Sequence, residues 1–331
     1  MISEGIMIGQ TTATNNNSNS NSNNNNNNTR IGSTNNNMIG HLFGRRRCVA
    51  IQHLKLREII NAANIHRILF LRHGQTAKQQ PEGNGGNDFD RVLTSEGRKQ
   101  AKRSGELFGR NLQPYYNPVL VSPAPRTMET ATIFLQAAVD ASPDSNNDDD
   151  NIGVINGDEN PIRDIDLIQI NSLYDGTLQP KGDEIFDLLG YAPLKEYLQN
   201  NNEHINTESR QFLGDYTENA IASIIEVVTN TTANNNTNNE IKADANDDAT
   251  TLLLVAHAIY LPAAALGVAS LLGCFDNNEE EEEESSYSHT GSAAMDVLLS
   301  TNTNEAEGYL IDVKHKSVRY LSRDDAILNN T

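Results

Sequence analysis

Short, continuously apolar runs alternate along the chain with longer segments whose apolar residues recur at helical spacing. The first kind of run predicts buried strands, and the second predicts helices that bury one face. Strands are predicted at 65–71, 118–122, 152–155, 165–170 and 251–256, with a closing hairpin at 309–313 and 317–321. Helices are predicted at 95–112, 126–139, 183–198 with a break at Pro193, 209–228 and 259–272. Strands separated by helices imply a mainly parallel sheet covered on both faces, so the predicted fold class is a three-layer α/β/α sandwich.

Asn- and Ser-rich tracts interrupt this pattern, and they lack the apolar residues that could offset the loss of chain entropy on folding. Residues 1–64 are therefore predicted to be a disordered, Asn-rich segment. One domain is predicted at 65–322, followed by a short tail at 323–331. Low-complexity insertions are predicted in the loops of this domain, at about 141–151, 229–249 and 276–287.

The charge and the cysteine content limit the classes of partner and compartment. The formal net charge of −19 argues against nucleic acid as a partner. No apolar stretch is long enough to span a bilayer, so no membrane partner is expected. Cys48 and Cys274 form neither a disulfide framework nor a metal-binding pattern, which favours a reducing, cytoplasmic location. The alternative is an organelle, because residues 5–57 contain several arginines and no acidic residue, as transit sequences do.

Three predicted strands end in residues that carry chemistry. Arg72 and His73 follow the first strand, Ser122 and Arg126 follow the second, and His257 follows the strand at 251–256. Ligands of open α/β sheets bind at the carboxyl ends of the strands, where these side chains are expected to meet. Taken alone, the segment with Arg126 is equally typical of an ordinary turn with a surface arginine. A hydrogen-bonded histidine in a strand-end loop is commoner than a catalytic one, so His257 alone would indicate little.

Together these residues would provide two guanidiniums and two imidazoles around one point. Such a set can surround a tetrahedral dianion, and phosphoryl transfer depends mainly on positioning and charge neutralisation. A neutral imidazole nitrogen can also attack phosphorus as a nucleophile. The sequence therefore indicates phosphoryl transfer without a metal or another cofactor.

Four motifs resemble those of the histidine phosphatase superfamily, whose fold is phosphoglycerate mutase-like. They are 71–76 (Leu-Arg-His-Gly-Gln-Thr), 90–97 (Asp-Arg-Val-Leu-Thr-Ser-Glu-Gly), 122–127 (Ser-Pro-Ala-Pro-Arg-Thr) and 255–257 (Val-Ala-His). The resemblance implies that His73 is the nucleophile that becomes phosphohistidine. It implies that Arg72, Arg126 and His257 hold the phosphoryl group, with substrate contacts from Gly74, Thr76 and Ser122. The motifs are nearer to those of the small, phosphohistidine-phosphatase-like branch than to those of the mutases proper.

A carboxylic acid with a raised pKa is the usual source of the proton for the leaving oxygen. In the matching branch of the superfamily, this acid lies between the second arginine and the second histidine. Asp175 is the first choice, and Glu184 is the second, with a role at the substrate. Each has a structural alternative, because Asp175-Gly176 is also a turn signal and Glu184 also suits a helix start.

The expected function is a metal-independent phosphatase that hydrolyses phosphomonoesters, or phosphohistidine, through a covalent intermediate on His73. Its substrate would be a small phosphorylated metabolite or a phosphoprotein. One alternative is a phosphoglycerate mutase-type phosphoryl transferase. A non-enzymatic alternative is a phosphate-binding scaffold. The sequence gives no indication of the oligomeric state.

Overall fold

The computed structural model describes residues 48–77, 88–112, 116–141, 166–174, 179–237, 250–276 and 291–323. The helices are α1 (Cys48–Ala62), α2 (Ser95–Leu112), α3 (Pro125–Asp140), α4 (Gln179–Leu189), α5 (Leu194–Leu198), α6 (Glu203–Thr237), α7 (Tyr260–Leu272) and α8 (Gly291–Ser300). The strands are β1 (Ile65–Arg72), β2 (Tyr116–Val121), β3 (Leu167–Gln169), β4 (Thr250–Ala256), β5 (Gly308–Asp312) and β6 (Ser317–Leu321). Short 3-10 turns lie at Asp88–Asp90 and Asn171–Leu173. None of the helices described here is long and apolar enough to cross a membrane.

The described strands form one sheet in the order β3-β2-β4-β1-β5-β6. Strands β3, β2, β4 and β1 run parallel, whereas β5 is antiparallel to β1 and pairs with β6 as the predicted hairpin. Successive side chains of β1 alternate between two separate cores. Ile68 and Phe70 pack with α1, α6 and α7, and Leu69 and Leu71 pack with α2 and α3. The predicted three-layer, mainly parallel α/β fold is confirmed.

Burial on both faces explains why the central strands read as continuous apolar runs. In β4 the residues from Thr251 to Ala256 are all buried, and in β1 the same holds from Ile68 to Arg72. A strand exposed on one face would show polar residues at alternate positions. Helix α3 buries the predicted residues Ala131, Leu135 and Ala138, while Met128 is half-buried.

The folded region begins earlier than the predicted boundary at residue 65. Helix α1 precedes β1 and buries Leu56 and Ile60 completely. These two apolar residues are spaced i, i+4 and lie against the sheet, but the Asn-rich composition upstream obscured them in the sequence. The part of the predicted N-terminal segment from Cys48 onwards is therefore helical.

Other elements also differ in extent from the prediction. The helix predicted at 183–198 begins at Gln179 and is divided into α4 and α5. Helix α6 extends beyond the predicted 209–228 at both ends. Its polar C-terminal part carries threonine hydroxyls that donate to carbonyls four residues back, as Thr229 does to Ile225 at 2.6 Å. Only the centre of the predicted strand at 165–170 is extended, as β3. The predicted strand at 152–155 is outside the described residues.

Candidate active site

The register of the sheet brings three strand ends to one point. The backbone N–H of His73, just past β1, donates to the Ala256 carbonyl of β4 at 3.1 Å. The N–H of Ser122, just past β2, donates to the Val255 carbonyl at 3.0 Å. Because β4 lies between β1 and β2 and is followed by His257, all three polar residues lie at the same edge of the sheet.

Four ionisable side chains meet at this edge, and we call them the Arg–His cage: Arg72, His73, Arg126 and His257. Each is less than 10% exposed, and the rings of His73 and His257 lie with their centroids 5.2 Å apart. Burying such groups costs free energy unless they are paired, so a packed apolar core would not require them. The arrangement therefore indicates a functional site.

The hydrogen bond of His73 fixes which ring nitrogen can act as a nucleophile. Its Nδ1 lies 2.8 Å from the carbonyl oxygen of Gly74, which can only accept a hydrogen bond. The proton must therefore be on Nδ1, and the lone pair remains on Nε2. Burial lowers the pKa of His73 well below its usual value, and His257 and the cage arginines lower it further. The ring is neutral, as a nucleophile must be.

His257 adopts the opposite tautomer. Its Nδ1 lies 3.3 Å from Nη2 of Arg126, which can only donate, so Nδ1 is the acceptor. Its Nε2 therefore carries the proton and donates to the Ser122 hydroxyl at 2.8 Å. Burial lowers the pKa of His257 well below its usual value, and Arg126, Arg72 and Arg91 act in the same direction. A phosphate dianion in the cage would act in the reverse direction and raise this pKa.

Arg72 is held by the segment between α8 and β5. Its Nη1 donates to the Thr303 carbonyl at 2.6 Å, and its Nη2 lies 3.7 Å from the Glu305 carboxylate. Its guanidinium carbon also lies 4.8 Å from the centre of the Tyr191 ring. These contacts fix the plane of the guanidinium.

Glu307, which no sequence motif indicated, supports this segment. Glu307 is 1% exposed, and its backbone carbonyl accepts the N–H of Arg72 at 2.9 Å. Its carboxylate accepts from the hydroxyl of Tyr320, from Asn304 and from the backbone N–H of Arg323. Burial raises the pKa of Glu307, but these donors outweigh burial and hold it below the usual value.

Arg126 is held by Asp88, another residue that the sequence analysis missed. Arg126 Nη2 donates to Oδ2 of Asp88 at 2.8 Å, and the other carboxylate oxygen accepts from Arg91 at 2.9 Å. Burial raises the pKa of Asp88, but Arg126 and Arg91 outweigh it and keep the pKa below its usual value. The motif containing Asp90 and Arg91 was recognised, but nothing in its spacing showed that Asp88 reaches Arg126.

Both cage guanidiniums retain a buried N–H without a partner. Nε of Arg72 and Nε of Arg126 make no hydrogen bond within the part of the chain that the structure describes. An unsatisfied buried donor costs about 1–3 kcal/mol, and more when the group is charged. Two such donors on buried cations, beside the nucleophilic nitrogen of His73, fit a site for an anion with several acceptor oxygens.

Gly74 and Gly97 allow the His73 loop to lie directly on the start of α2. A Cβ on Gly74 would lie 2.5 Å from the Gly97 carbonyl oxygen, and one on Gly97 would lie 2.2 Å from that of Gln75. Both contacts are with backbone, so neither position can accommodate a side chain without movement. The N–H of Gly74 donates to the Thr130 hydroxyl at 3.0 Å, which ties the loop to α3.

The structure places the remaining predicted site residues less directly at the cage. The Thr76 hydroxyl accepts from Nη2 of Arg91. Glu184 is exposed on α4, and Asp175 lies outside the described residues. Next to Glu184, the pKa of Asp183 is raised by partial desolvation and by the carboxylates of Asp88 and Asp187. The helix begins at Gln179, so both residues lie inside α4 and not at its predicted start, and Asp183 is the one of the two whose environment suits an acid.

The buried neutral histidines predict how stability depends on pH. In the unfolded chain both rings bind protons as the pH falls below the usual pKa of 6.5, whereas in the folded chain His73 and His257 stay neutral to lower pH. The unfolded state then binds more protons, so the free energy of unfolding falls with decreasing pH, by up to about 1.4 kcal/mol per pH unit for each ring.

We expect denaturant unfolding at pH 7, 6 and 5 to show this slope in the free energy of unfolding. A His73→Asn variant should show a smaller slope, because one of the two rings is absent. Equal slopes in the wild type and the variant would contradict the assignment of a buried neutral ring to His73. Asp88 and Glu307, whose pKa values are lowered, contribute to the pH dependence only below this range.

Comparison with known families gives a match at the part of the chain that contains most of the cage. Residues 68–160 match the family described as histidine phosphatase superfamily (branch 1). The matched range includes Arg72, His73 and Arg126. His257 lies outside the matched range and is brought to them because β4 pairs with β1 and β2. The resemblance predicted from the motifs is confirmed. The chain is similar to a superfamily of enzymes that act on phosphoryl groups.

Three solved structures are among those similar to the chain. A phosphoglycerate mutase from Bacillus anthracis str. Sterne has 12% identity over 80% of this chain and 96% of its own, with a TM-score of 0.41. A candidate phosphohistidine phosphatase, SixA from Agrobacterium tumefaciens, has 17% identity over 78% of this chain and 96% of its own, with a TM-score of 0.33. A mycobacterial glucosyl-3-phosphoglycerate phosphatase in complex with VO3 has 16% identity over 77% of this chain and 96% of its own, with a TM-score of 0.37. A search of curated proteins found no match.

Proposed function

We propose that the chain is a metal-independent phosphatase that hydrolyses phosphate monoesters through a phosphohistidine on His73. The observation that carries this proposal is the position of a neutral imidazole beside two buried guanidiniums that each keep an unpaired Nε–H. The family match over residues 68–160 supports the same chemistry.

In the first step, Nε2 of His73 attacks phosphorus in line with the bridging oxygen. The N–P bond forms and the P–O bond to the leaving group breaks. The equatorial oxygens accept hydrogen bonds from Arg72 and Arg126, whose fixed positions neutralise the charge without reorganisation. The leaving oxygen takes a proton, for which Asp175 and Glu184 are the candidates from sequence and Asp183 is the one whose raised pKa favours the role.

In the second step, water attacks the phosphohistidine, its oxygen bonds to phosphorus, and inorganic phosphate is released. One proton of the water returns to the carboxylate that protonated the leaving oxygen in the first step. The N–P bond breaks, and its electron pair returns to Nε2, so His73 is regenerated in its starting tautomer because Gly74 retains the Nδ1 proton. The cage arginines bind the same equatorial oxygens as in the first step. Each cycle therefore consumes one ester and one water, and it uses no metal or bisphosphate primer.

The fate of the phosphoryl group tests this proposal. The full-length chain with 4-nitrophenyl phosphate and an excess of EDTA should release nitrophenol and inorganic phosphate in equal amounts. Adding alcohols or phosphoglycerates as acceptors should leave the yield of inorganic phosphate unchanged. A requirement for a bisphosphate primer, transfer to the acceptor, or loss of turnover in EDTA would contradict the proposal.

A further inference from the structure

Aromatic rings border the Arg–His cage on two sides. On one side, the Tyr174 ring lies 5.4 Å from the His257 ring and 5.8 Å from the Arg126 guanidinium, and Phe89 packs against Tyr174 at 4.9 Å. On the other side, Tyr191 lies over Arg72. Phe186 packs edge-on against Tyr191 at 5.0 Å. We call these four residues, Phe89, Tyr174, Phe186 and Tyr191, the aromatic rim.

Most of the rim remains accessible to solvent, although Phe186 also packs against the larger core. Tyr191 is 57% exposed although it touches a buried arginine, and Phe89 and Tyr174 are half-buried. Two more exposed apolar residues lie near rim residues in the chain, Val92 after Phe89 and Leu188 between Phe186 and Tyr191. Apolar surface concentrated around a polar site is typical of a surface that receives a ligand.

The charges around the rim are mostly negative. Asp183 and Asp187 are exposed and lie one turn apart on α4, and the Glu305 carboxylate lies 3.7 Å from Arg72. Arg91 and Arg126 are the cations beside Asp88, and both guanidiniums are already paired with its carboxylate. A second negative charge on a bound substrate would therefore be repelled, by an amount that falls with distance and salt.

From these two features we infer that the substrate is a phosphate monoester whose leaving group is an aromatic ring without a second negative charge. The inference rests on the proposed phosphatase function and assigns it a substrate class. The cage takes the phosphoryl dianion, the rim stacks on the ring, and the carboxylates exclude leaving groups that carry a carboxylate or another phosphate. Phosphoglycerates and bisphosphates, which carry such groups, are poor substrates on this account.

Two matched pairs of esters test the inference on the full-length chain. Benzyl phosphate and butyl phosphate have similar leaving-group chemistry, and we expect kcat/KM to favour the benzyl ester by about tenfold. The esters 4-carbamoylphenyl phosphate and 4-carboxyphenyl phosphate differ mainly in one charge, and we expect the neutral ester to be favoured by about fivefold.

Variants of the rim should change these ratios. Tyr191→Ser should lower the benzyl-to-butyl ratio about fivefold, whereas Tyr191→Phe, which keeps the ring, should preserve it. The variant Asp187→Asn, which leaves the candidate acid Asp183 in place, should lower the carbamoyl-to-carboxy ratio towards one. The matched controls are Leu54→Ser and Glu58→Gln on α1, an exposed apolar residue and an exposed carboxylate outside the rim, and both should leave the ratios unchanged.

The outcomes separate this inference from the function on which it rests. Turnover of all four esters with ratios near one, or a preference for the carboxylated ester, would overturn the substrate class and leave the phosphatase assignment intact. Ratios that fall equally in Tyr191→Ser and Tyr191→Phe would also overturn it. Absence of turnover with every ester would overturn both proposals together.

Discussion

Replacing His73 with alanine is expected to lower kcat for an aryl phosphate by about 10⁴-fold or more, because the nucleophile that forms the covalent intermediate is lost. No other described group is placed to substitute for it. The nearest imidazole, His257, has Nε2 committed to Ser122 and Nδ1 committed to Arg126. The measurement is steady-state hydrolysis of 4-nitrophenyl phosphate in EDTA.

A second substitution at the same position separates chemistry from structure. The side-chain amide of His73→Asn can still donate to the Gly74 carbonyl, so the loop keeps its hydrogen bond while the nucleophilic nitrogen is absent. His204→Ala, which removes a 78% exposed imidazole on α6, is the matched control and should keep full activity. Retention of more than about a tenth of wild-type kcat in either His73 variant would remove His73 from the mechanism.

The second large effect is expected at Arg126. Arg126→Lys keeps the positive charge but loses the planar fork that spans Asp88, His257 and the unpaired Nε–H. Removing one preorganised donor to a transition-state oxyanion costs about 10²–10³ in rate, so kcat/KM should fall by about that factor. Inhibition by vanadate, measured on the same variant, should weaken in parallel, because vanadate is an oxyanion similar to phosphate and would need the same guanidinium donors.

Arg98→Lys is the matched control for that substitution. Arg98 makes a salt bridge with Glu129 on the surface, where its side chain is 48% exposed, so the change should leave kcat/KM within about twofold. Thermal unfolding of each variant tests whether the fold survives. An Arg126→Lys protein that folds and keeps kcat/KM within threefold of wild type would show that the guanidinium does not bind the phosphoryl group.

Much of the site could be predicted because its main residues follow directly from buried strands. A continuous apolar run fixes where β1, β2 and β4 end, and the next residues must then lie at one edge of the sheet. His73, Ser122 and His257 were identified in this way. The tautomers of the two histidines could not be predicted, because they depend on contacts with a carbonyl and a guanidinium that only the folded chain brings together.

The sequence was least informative where contacts come from loops. Asp88, Glu307 and Tyr191 hold the two arginines, yet each lies in a turn or a helix end whose path is not set by hydrophobic periodicity. Helix α1 was missed for a related reason, since its two buried residues follow a long Asn-rich tract. The predicted acid Asp175 stays a prediction, because it lies outside the described residues.

The net charge of the whole chain is opposite in sign to that of the Arg–His cage, which bears on how an anionic substrate could bind. The formal net charge is −19, yet the buried cage contains two arginines and no acidic residue. Long-range attraction therefore does not explain binding of an anionic substrate, since an acidic surface opposes its approach. The proposed function therefore requires affinity from short-range contacts with Arg72 and Arg126, which solvent and salt screen little.

The most direct test of the account is to trap the intermediate. The full-length chain is mixed with a ³²P-labelled aryl phosphate, quenched in alkali within the first turnover, and mapped by mass spectrometry. The account predicts a phosphoryl group on the peptide containing His73, stable to alkali and labile to acid as a phosphohistidine is, and absent from the His73→Asn variant. Hydrolysis without any labelled peptide, or label on a different residue, would contradict it.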